Sequence, residues 1–175
     1  MNFTFYPWGN AYYNVCDTPN FDKEKGMDCW INKCSENSNN INEDETNCFN
    51  GEILCQHGVD ECWANRLEGC AIKHYPTKYL DFLICFEGMN NAARSAVDEC
   101  AKAVDIDANI LNQCESGTEG HRVDQFNAME TIKLGTSKIG TPWVIVNGKP
   151  MEDPSQLLSH VCSLYQGSNK PEGCN

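Results

Sequence analysis

The chain has 175 residues, which is enough for one domain with its own hydrophobic core. It carries a formal net charge of −12, from 25 acidic residues against 13 Lys and Arg. Nucleic acids and anionic membrane surfaces attract clustered Lys and Arg, so this charge argues against both as partners. The sequence has no run of about 18 apolar residues, so no membrane span is predicted.

Twelve cysteines, an even number, indicate disulfide bonds and an oxidising compartment, either extracellular or lysosomal. The first residues have no signal-peptide pattern, so we expect any targeting segment to lie outside this sequence. Asn2-Phe3-Thr4 is a glycosylation sequon, with Asn2 as the predicted acceptor. No cofactor and no metal site are predicted, because His57 lacks paired ligands at the spacing typical of zinc.

The N-terminal part begins with alternating aromatic residues, Phe3–Tyr6, which predict a strand that ends at Pro7. From residue 12 to residue 50 the periodicity disappears, and residues 35–47 are polar and acidic. Four cysteines bracket this stretch: Cys16, Cys29, Cys34 and Cys48. We therefore predict a surface loop over residues 12–50 that is stapled by disulfides.

The middle of the chain has apolar residues at three-and-four spacing, which predicts a layer of helices. The predicted helices span residues 61–73, 77–86, 92–104, 108–114 and 119–134. Asp107 is the expected N-cap of the fourth helix, and Gly117 and Gly135 are expected to end the last two. Cys85, Cys100 and Cys114 lie on or beside these helices and are interpreted as buried structural cysteines.

The last forty residues return to strand patterns. Residues 143–146 are apolar and β-branched, and Asn147-Gly148 predicts a type I′ hairpin turn before a return strand that Pro150 confines to an edge. Asp153-Pro154 is a helix start, with Gly167 as the expected end. The predicted buried stripe of this helix is Leu157, Leu158, Val161, Cys162 and Tyr165.

The stretch from residue 55 to residue 70 joins three cysteines to a glycine turn and a helix, a spacing that suits disulfides holding a helix to its neighbours. It resembles the signature of the gamma-interferon-inducible lysosomal thiol reductase family. The fixed positions of that signature are Cys55, Gln56, His57, Gly58, Glu61, Cys62, Asn65 and Cys70. We interpret Gln56, His57 and Asn65 as turn and capping residues.

The resemblance extends along the chain. Residues 5–11 look like the family's second-strand motif, residues 141–150 like its third strand and hairpin, and residues 164–167 like its final helix end. It implies one thioredoxin-like α/β domain over residues 1–175, with a cysteine-rich helical insertion at 55–135. Thr141 and Pro142 match the cis-proline loop that docks substrate. Further family-like cysteines are Cys85, Cys100, Cys114, Cys162 and Cys174.

One departure from the family affects the chemistry. Family members begin with a strand and a Cys-x-x-Cys redox pair, whereas this sequence begins at the second strand and has no cysteines separated by two residues. The nearest pair, Cys29 and Cys34, has four residues between. The resemblance therefore implies a fold without the first strand and active-site helix. Either the sequence is a fragment, or the sheet is rebuilt, or the exposed strand edges pair with a second copy of the chain in a homodimer.

Two functions follow. The first is a secreted, catalytically silent protein that binds or modulates a protein or cell-surface ligand, with the acidic loop as its contact surface. The alternative is a thiol-disulfide oxidoreductase that reduces protein disulfides. Its catalytic segment would lie upstream of Met1, or its redox pair would be Cys29 and Cys34.

Overall fold

The structure, a computed structural model, describes residues 3–37, 48–89, 94–135, 138 and 140–174. It contains both helices and strands and is mostly helical. The described helices are α1 (Asp28–Cys34), α2 (Val59–His74), α3 (Tyr79–Gly88), α4 (Ala96–Ala103), α5 (Ala108–Ser116), α6 (Thr118–Ile132) and α7 (Leu157–Leu164). The described strands are β1 (Tyr12–Tyr13), β2 (Ile53–Leu54), β3 (Ile145–Val146) and β4 (Lys149–Pro150).

The chain divides into two compact units, Met1–Ser137 and Lys138–Asn175. The single domain and the thioredoxin-like architecture stay predictions. Within the described parts, every helix is too short or too polar to cross a lipid bilayer.

The predicted helical layer of the first unit is confirmed, since α2 to α6 overlap all five predicted helices. Helix α2 begins with acidic residues and ends with Lys73 and His74, charges that suit the helix dipole. The side chain of Asp107 accepts a hydrogen bond from the backbone N–H of Asn109, and Gly117 follows the last residue of α5. These caps were predicted from the sequence.

The helices enclose one hydrophobic core, here called the helical cluster. Its largest fully buried side chains are Leu67, Phe82, Phe86, Val97 and Leu111. Disulfides join α2 to α5 through Cys70–Cys114, and α3 to α4 through Cys85–Cys100. The buried stripes of the helices therefore meet as the periodicity predicts.

A second core, the aromatic cluster, comes mainly from the segment before α2. Its large buried rings are Trp8, Tyr12, Tyr13, Trp30 and Phe49. The prediction of a surface loop over residues 12–50 is therefore wrong for the described ends of that range. The rings lie on turns and short elements, so their burial leaves no periodic pattern in the sequence. The acidic residues 38–47 lie outside the described residues.

The predicted strand at Phe3–Tyr6 is also wrong. The first strand is β1, which pairs antiparallel with β2 so that Tyr12 lies opposite Leu54. A strand needs a hydrogen-bonded neighbour, and no strand in the described part of the chain pairs with residues 3–6. These residues are exposed rather than part of a sheet.

The second unit contains the predicted hairpin. Strands β3 and β4 pair antiparallel around Asn147 and Gly148, whose φ angles of 51° and 78° are both positive, as a type I′ turn requires. The Thr141-Pro142 peptide bond is cis. Asp153 caps the following helical turn by accepting from the backbone N–H of Ser155.

The predicted buried stripe of α7 is wrong. No residue of α7 is buried, and Leu158 is 62% exposed. Within the described residues 140–174, the paired strands are two residues long, so they form no sheet face wide enough to cover a helix. The helix also ends at Leu164, earlier than the predicted end at Gly167, and Tyr165 follows in an extended conformation.

Candidate functional site: the signature turn and its cleft

All twelve cysteines lie in described residues and form six disulfides, so no thiol is free. The prediction that Cys29 and Cys34 replace the redox pair is wrong in geometry, because each bonds to a different cysteine. The chain segments on either side of α1 are thereby tied to it. The pairs are Cys16–Cys29, Cys34–Cys48, Cys55–Cys62, Cys70–Cys114, Cys85–Cys100 and Cys162–Cys174.

The signature begins with a closed turn. Cys55, before the turn, bonds to Cys62 in the first part of α2. Gly58 has a φ of 93°, a conformation that favours glycine, and its N–H donates to the carbonyl of Cys55 at 3.1 Å. The Glu61 carboxylate accepts from the backbone N–H of His57 at 2.6 Å and lies 3.1 Å from the His57 ring Nδ1. Glu61 thus fixes the entry into α2.

The same turn holds the N-terminal segment in place. Asn10 donates to the side-chain oxygen of Gln56 at 2.8 Å, and Asn65 donates to the carbonyl of Trp8 at 3.2 Å. A side chain at Gly9, where φ is 61°, would come within 2.9 Å of the Glu61 carboxylate. The signature residues therefore join two motifs that lie about fifty residues apart in sequence, as Asn10 and Gln56 show with a separation of 46.

A buried ion pair lies one turn further along α2. The Nε of Arg66 donates to Asp124 of α6 at 2.5 Å, and its Nη1 lies 3.6 Å from Glu115 of α5. Burial raises the pKa of Asp124 to about 6, while the Arg66 charge opposes that rise. Arg66 therefore links three helices through charged hydrogen bonds.

A second buried carboxyl, Glu68, lies on α2 beside Glu87 of α3. Burial raises the pKa of Glu68 to about 9, and the hydrogen bond and negative charge of Glu87 add to the rise. Glu68 is thus protonated at neutral pH and keeps a charge out of the core.

A cleft of about 320 Å³ lies beside the signature helix. The Cys62 side chain lines it, together with residues from α5, α6 and the segment around β2. Two arginines, Arg66 and Arg94, reach this cleft, and the Arg94 guanidinium lies 4.3 Å from the centre of the Trp63 ring. The site can therefore offer positive charge and aromatic surface together.

Another polar group lies outside this cleft. Oxygen, nitrogen and sulfur atoms of Glu119, His74 and Cys114 come within 4.8 Å of one another. Cys114 is bonded to Cys70, so its sulfur is not a thiolate ligand. Glu119 pairs with Lys73 at 2.8 Å, which lowers its pKa.

Three further predicted site residues lie in other parts of the chain. Asn2 lies outside the described residues, and Thr141 and Pro142 belong to the second unit. The docking role of that cis-proline loop stays a prediction. Sequence reasoning missed Arg66 and Asp124, because a partner 58 residues away leaves no local pattern.

Part of the chain matches a known protein family, and several known proteins are similar to it. Residues 36–104 match the family model for gamma interferon inducible lysosomal thiol reductase. A gamma-interferon-inducible lysosomal thiol reductase from Mus musculus is 37% identical over 128 residues, which is 71% of this chain and 51% of that protein. One from Carassius auratus is 31% identical over 71% of this chain and 52% of its own length.

A more distant relative is the gamma-interferon-responsive lysosomal thiol protein of Arabidopsis thaliana, which is 30% identical over 70% of this chain and 54% of its own length. The chain thus spans about half the length of the curated relatives it matches. The site and the fold define a disulfide-rich, mostly helical protein whose signature turn is closed by a disulfide. The match to the family model at residues 36–104 and these relatives confirm the predicted resemblance to the gamma-interferon-inducible lysosomal thiol reductase family.

Proposed function

We propose that this chain is a catalytically silent binding or modulating member of the thiol reductase family. One observation carries the proposal: all twelve cysteines are paired in disulfides, and no two are separated by two residues. Reduction of a substrate disulfide begins with attack by a thiolate, and a nearby second cysteine then releases the mixed disulfide. Cysteines that are bonded in structural disulfides supply neither group.

The second candidate is a thiol-disulfide oxidoreductase of thioredoxin-like fold whose redox pair lies outside this chain. The relatives from Mus musculus and Carassius auratus are named lysosomal thiol reductases, which favours it. Thr141 and Pro142 also favour it, since they match the loop with which thioredoxin-like folds dock substrate beside the redox pair. In that case this chain would hold the docking elements of the enzyme.

The proposed compartment is oxidising, either the lysosome or the extracellular space. Six disulfides persist in such compartments and are rare in the cytosol. The buried carboxyl of Glu68, with its pKa raised to about 9, favours the folded state at acidic pH, which fits a lysosomal setting.

The proposed partners are a protein or cell-surface ligand and a second copy of this chain. Phe3, Phe5 and Tyr6 are each at least 39% exposed, so this aromatic segment is available for contact with a second copy. Sedimentation at micromolar concentration tests the homodimer. A dimer that dissociates in a Phe5→Asp variant supports it, and a monomer rejects it.

The test of function is stepwise reduction of the natively folded protein. Intact mass is measured after alkylation, first without reductant and then with a limiting amount of a mild one. We expect no alkylation until strong reductant is added, and no reduction of a test protein disulfide. If one pair opens first and its alkylation abolishes reduction of the test disulfide, the silent function is wrong and that pair is the redox site.

A further inference from the structure

We propose that the cleft beside the signature helix binds the carboxylate of a peptide or amino-acid derivative that also carries an aromatic side chain. The inference deepens the binding role proposed above and rests on it. It names a ligand chemistry for a surface whose residues lie entirely within the first unit.

Basic groups from three parts of the chain converge on this cleft. Arg66 comes from α2, Arg94 lies just before α4, and His121 comes from the first turn of α6. The chain as a whole has a net charge of −12, so three basic groups at one cleft contrast with the surface around them. An anion is therefore repelled less at this cleft than by a chain of this net charge as a whole.

Arg94 is the group best placed to contact a ligand. It is exposed, and its guanidinium stacks on Trp63 at 4.3 Å. Among the described residues, no carboxylate lies within ion-pair distance of its side chain. A guanidinium that lies over a ring and has no carboxylate partner can donate to both oxygens of a ligand carboxylate.

Arg66 also lines the cleft and adds a second positive charge to that of Arg94. Its position is fixed by Asp124 behind it and by Glu115, which also lines the cleft. At neutral pH these two acids balance the charges of Arg66 and Arg94. His121 is exposed at the rim and adds a positive charge when protonated.

The aromatic part of the proposed ligand has its own wall. Tyr13 and Phe49 of the aromatic cluster and Trp63 of the helical cluster line the cleft and are at most 5% exposed, and Val59, which is 82% exposed, adds apolar surface. The volume of about 320 Å³ lies near the lower end of small-ligand sites, which range over roughly 300–1,000 Å³. It suits one aromatic amino-acid residue rather than a long peptide.

Acidification should strengthen binding. The charged groups that face the cleft are Arg66, Arg94, Glu115 and His121, with Asp124 behind Arg66. The pKa of Asp124 is raised to about 6 by burial, so near pH 5 this acid becomes neutral and no longer offsets the charge of Arg66. A free carboxylate remains ionised at that pH, so the attraction increases.

The test compares N-acetylphenylalanine with its uncharged amide at pH 5.0. Binding is measured by NMR on the isotope-labelled full chain, using the indole N–H of Trp63 and the side-chain N–H of Arg94. We expect the acid to bind at least about tenfold more tightly than the amide, because the charged hydrogen bonds are lost in the amide. Equal affinities would overturn the proposal.

Two variants locate the binding. Arg94→Gln should weaken N-acetylphenylalanine binding by roughly tenfold, whereas Arg122→Gln, an exposed arginine of α6 that does not line the cleft, should leave it unchanged. Equal loss in both variants would indicate general charge attraction and would overturn the site. For the native chain, affinity should fall between pH 5.0 and pH 7.5, and affinity that is constant or rises over that range would contradict the charge balance.

A third ligand separates two sources of carboxylate. N-acetyl-phenylalanyl-glutamate amide carries its charge on a side chain, whereas N-acetylphenylalanine carries it on the main chain. The tighter ligand identifies which source the cleft prefers, and failure of both overturns the proposal. If the ligand binds and one disulfide proves to be a labile redox pair, only the proposal of a silent function is rejected. If no ligand binds and all six disulfides stay stable, only the proposed binding site in the cleft is rejected.

Discussion

The aromatic and helical clusters are two cores of similar burial that are built in different ways. The helical cluster collects the apolar faces of regular helices. The aromatic cluster collects rings from turns and short elements, and buried hydrogen bonds fix them: Trp30 donates to the carbonyl of Cys48 and Trp8 to that of Ala11, both at 2.8 Å. A core therefore does not require periodic elements where disulfides and indole hydrogen bonds hold the backbone.

Removing a buried ring tests most directly whether the aromatic cluster is a hydrophobic core, as the helical cluster is. Trp30→Ala should lower the free energy of unfolding by about 3–5 kcal/mol, because Trp30 is fully buried and its indole holds the Cys48 carbonyl. Denaturant unfolding measures the change. Phe126→Ala, which removes a ring that is 53% exposed, is the control and should cost less than about 1 kcal/mol. Equal small losses would mean that the aromatic cluster is not a core.

Disulfide removal tests the contribution of each long connection. Replacing both Cys70 and Cys114 with Ala opens a connection of 44 residues and should cost about 4 kcal/mol. The same change at Cys55 and Cys62 opens only 7 residues and should cost about 2.5 kcal/mol. The free energies of unfolding decide the order. A larger loss at the shorter connection would show that the signature disulfide contributes more than chain entropy.

Close helix packing offers a finer test of the helical cluster. A methyl group at Gly69 of α2 would come within 2.2 Å of Val123 of α6, so Gly69→Ala should destabilise the chain by about 1–3 kcal/mol. Gly88→Ala is the matched control, since nothing lies within 4 Å of that position in α3. It should be neutral or stabilising by up to about 1 kcal/mol. Unfolding by heat or denaturant compares the two variants, and equal effects would mean that α2 and α6 are not in close contact.

The buried carboxyl of Glu68, beside the helical cluster, should make the free energy of unfolding depend on pH. The pKa of Glu68 is about 9 in the folded chain, above its usual value, so its contribution is complete at acidic pH and is lost as pH rises toward 9. The free energy of unfolding should fall by up to about 1.4 kcal/mol per pH unit between pH 5 and pH 8.

Glu68→Gln should flatten this pH dependence, since the amide does not ionise. Glu119→Gln is the control, because Lys73 lowers the pKa of this exposed carboxyl and its effect has the opposite sign. Unfolding curves at four pH values measure both variants. An unchanged slope in Glu68→Gln would show that Glu68 is not the titrating group.

The smallest expected effect is at the signature histidine. His57→Ala should change the free energy of unfolding by less than about 0.5 kcal/mol, because its side chain is 77% exposed and its ion pair with Glu61 lies in solvent. Glu61→Ala should cost more, since it also removes the acceptor for the His57 backbone N–H. A loss at His57 equal to that at Glu61 would give the histidine a larger structural role than the contacts support.

The two clusters also explain what the sequence could predict. Helices α2 to α6 and the hairpin at Asn147-Gly148 were predicted correctly, because periodicity and turn residues are local signals. The burial of Trp30 and Phe49 was not predicted, since each ring is buried by distant turns. The exposure of Leu158 was missed for the reverse reason: an apolar stripe does not specify what covers it.

The candidate site was predictable only in part. The signature residues were identified from their spacing, and the structure shows what several of them contact. The six pairings were beyond sequence reasoning because spacing does not determine disulfide connectivity. The cleft was also missed, since Arg66, Arg94 and His121 lie far apart along the chain and come together only through packing.

Disulfide mapping tests the central claim, that every cysteine serves structure. The native protein is alkylated, digested at acidic pH without reductant, and its linked peptides are identified by mass spectrometry. We expect separate disulfide-linked peptides for Cys16–Cys29 and for Cys34–Cys48, and no alkylated cysteine. A Cys29–Cys34 peptide, or an alkylated pair, would contradict it and would place a redox-capable pair beside α1.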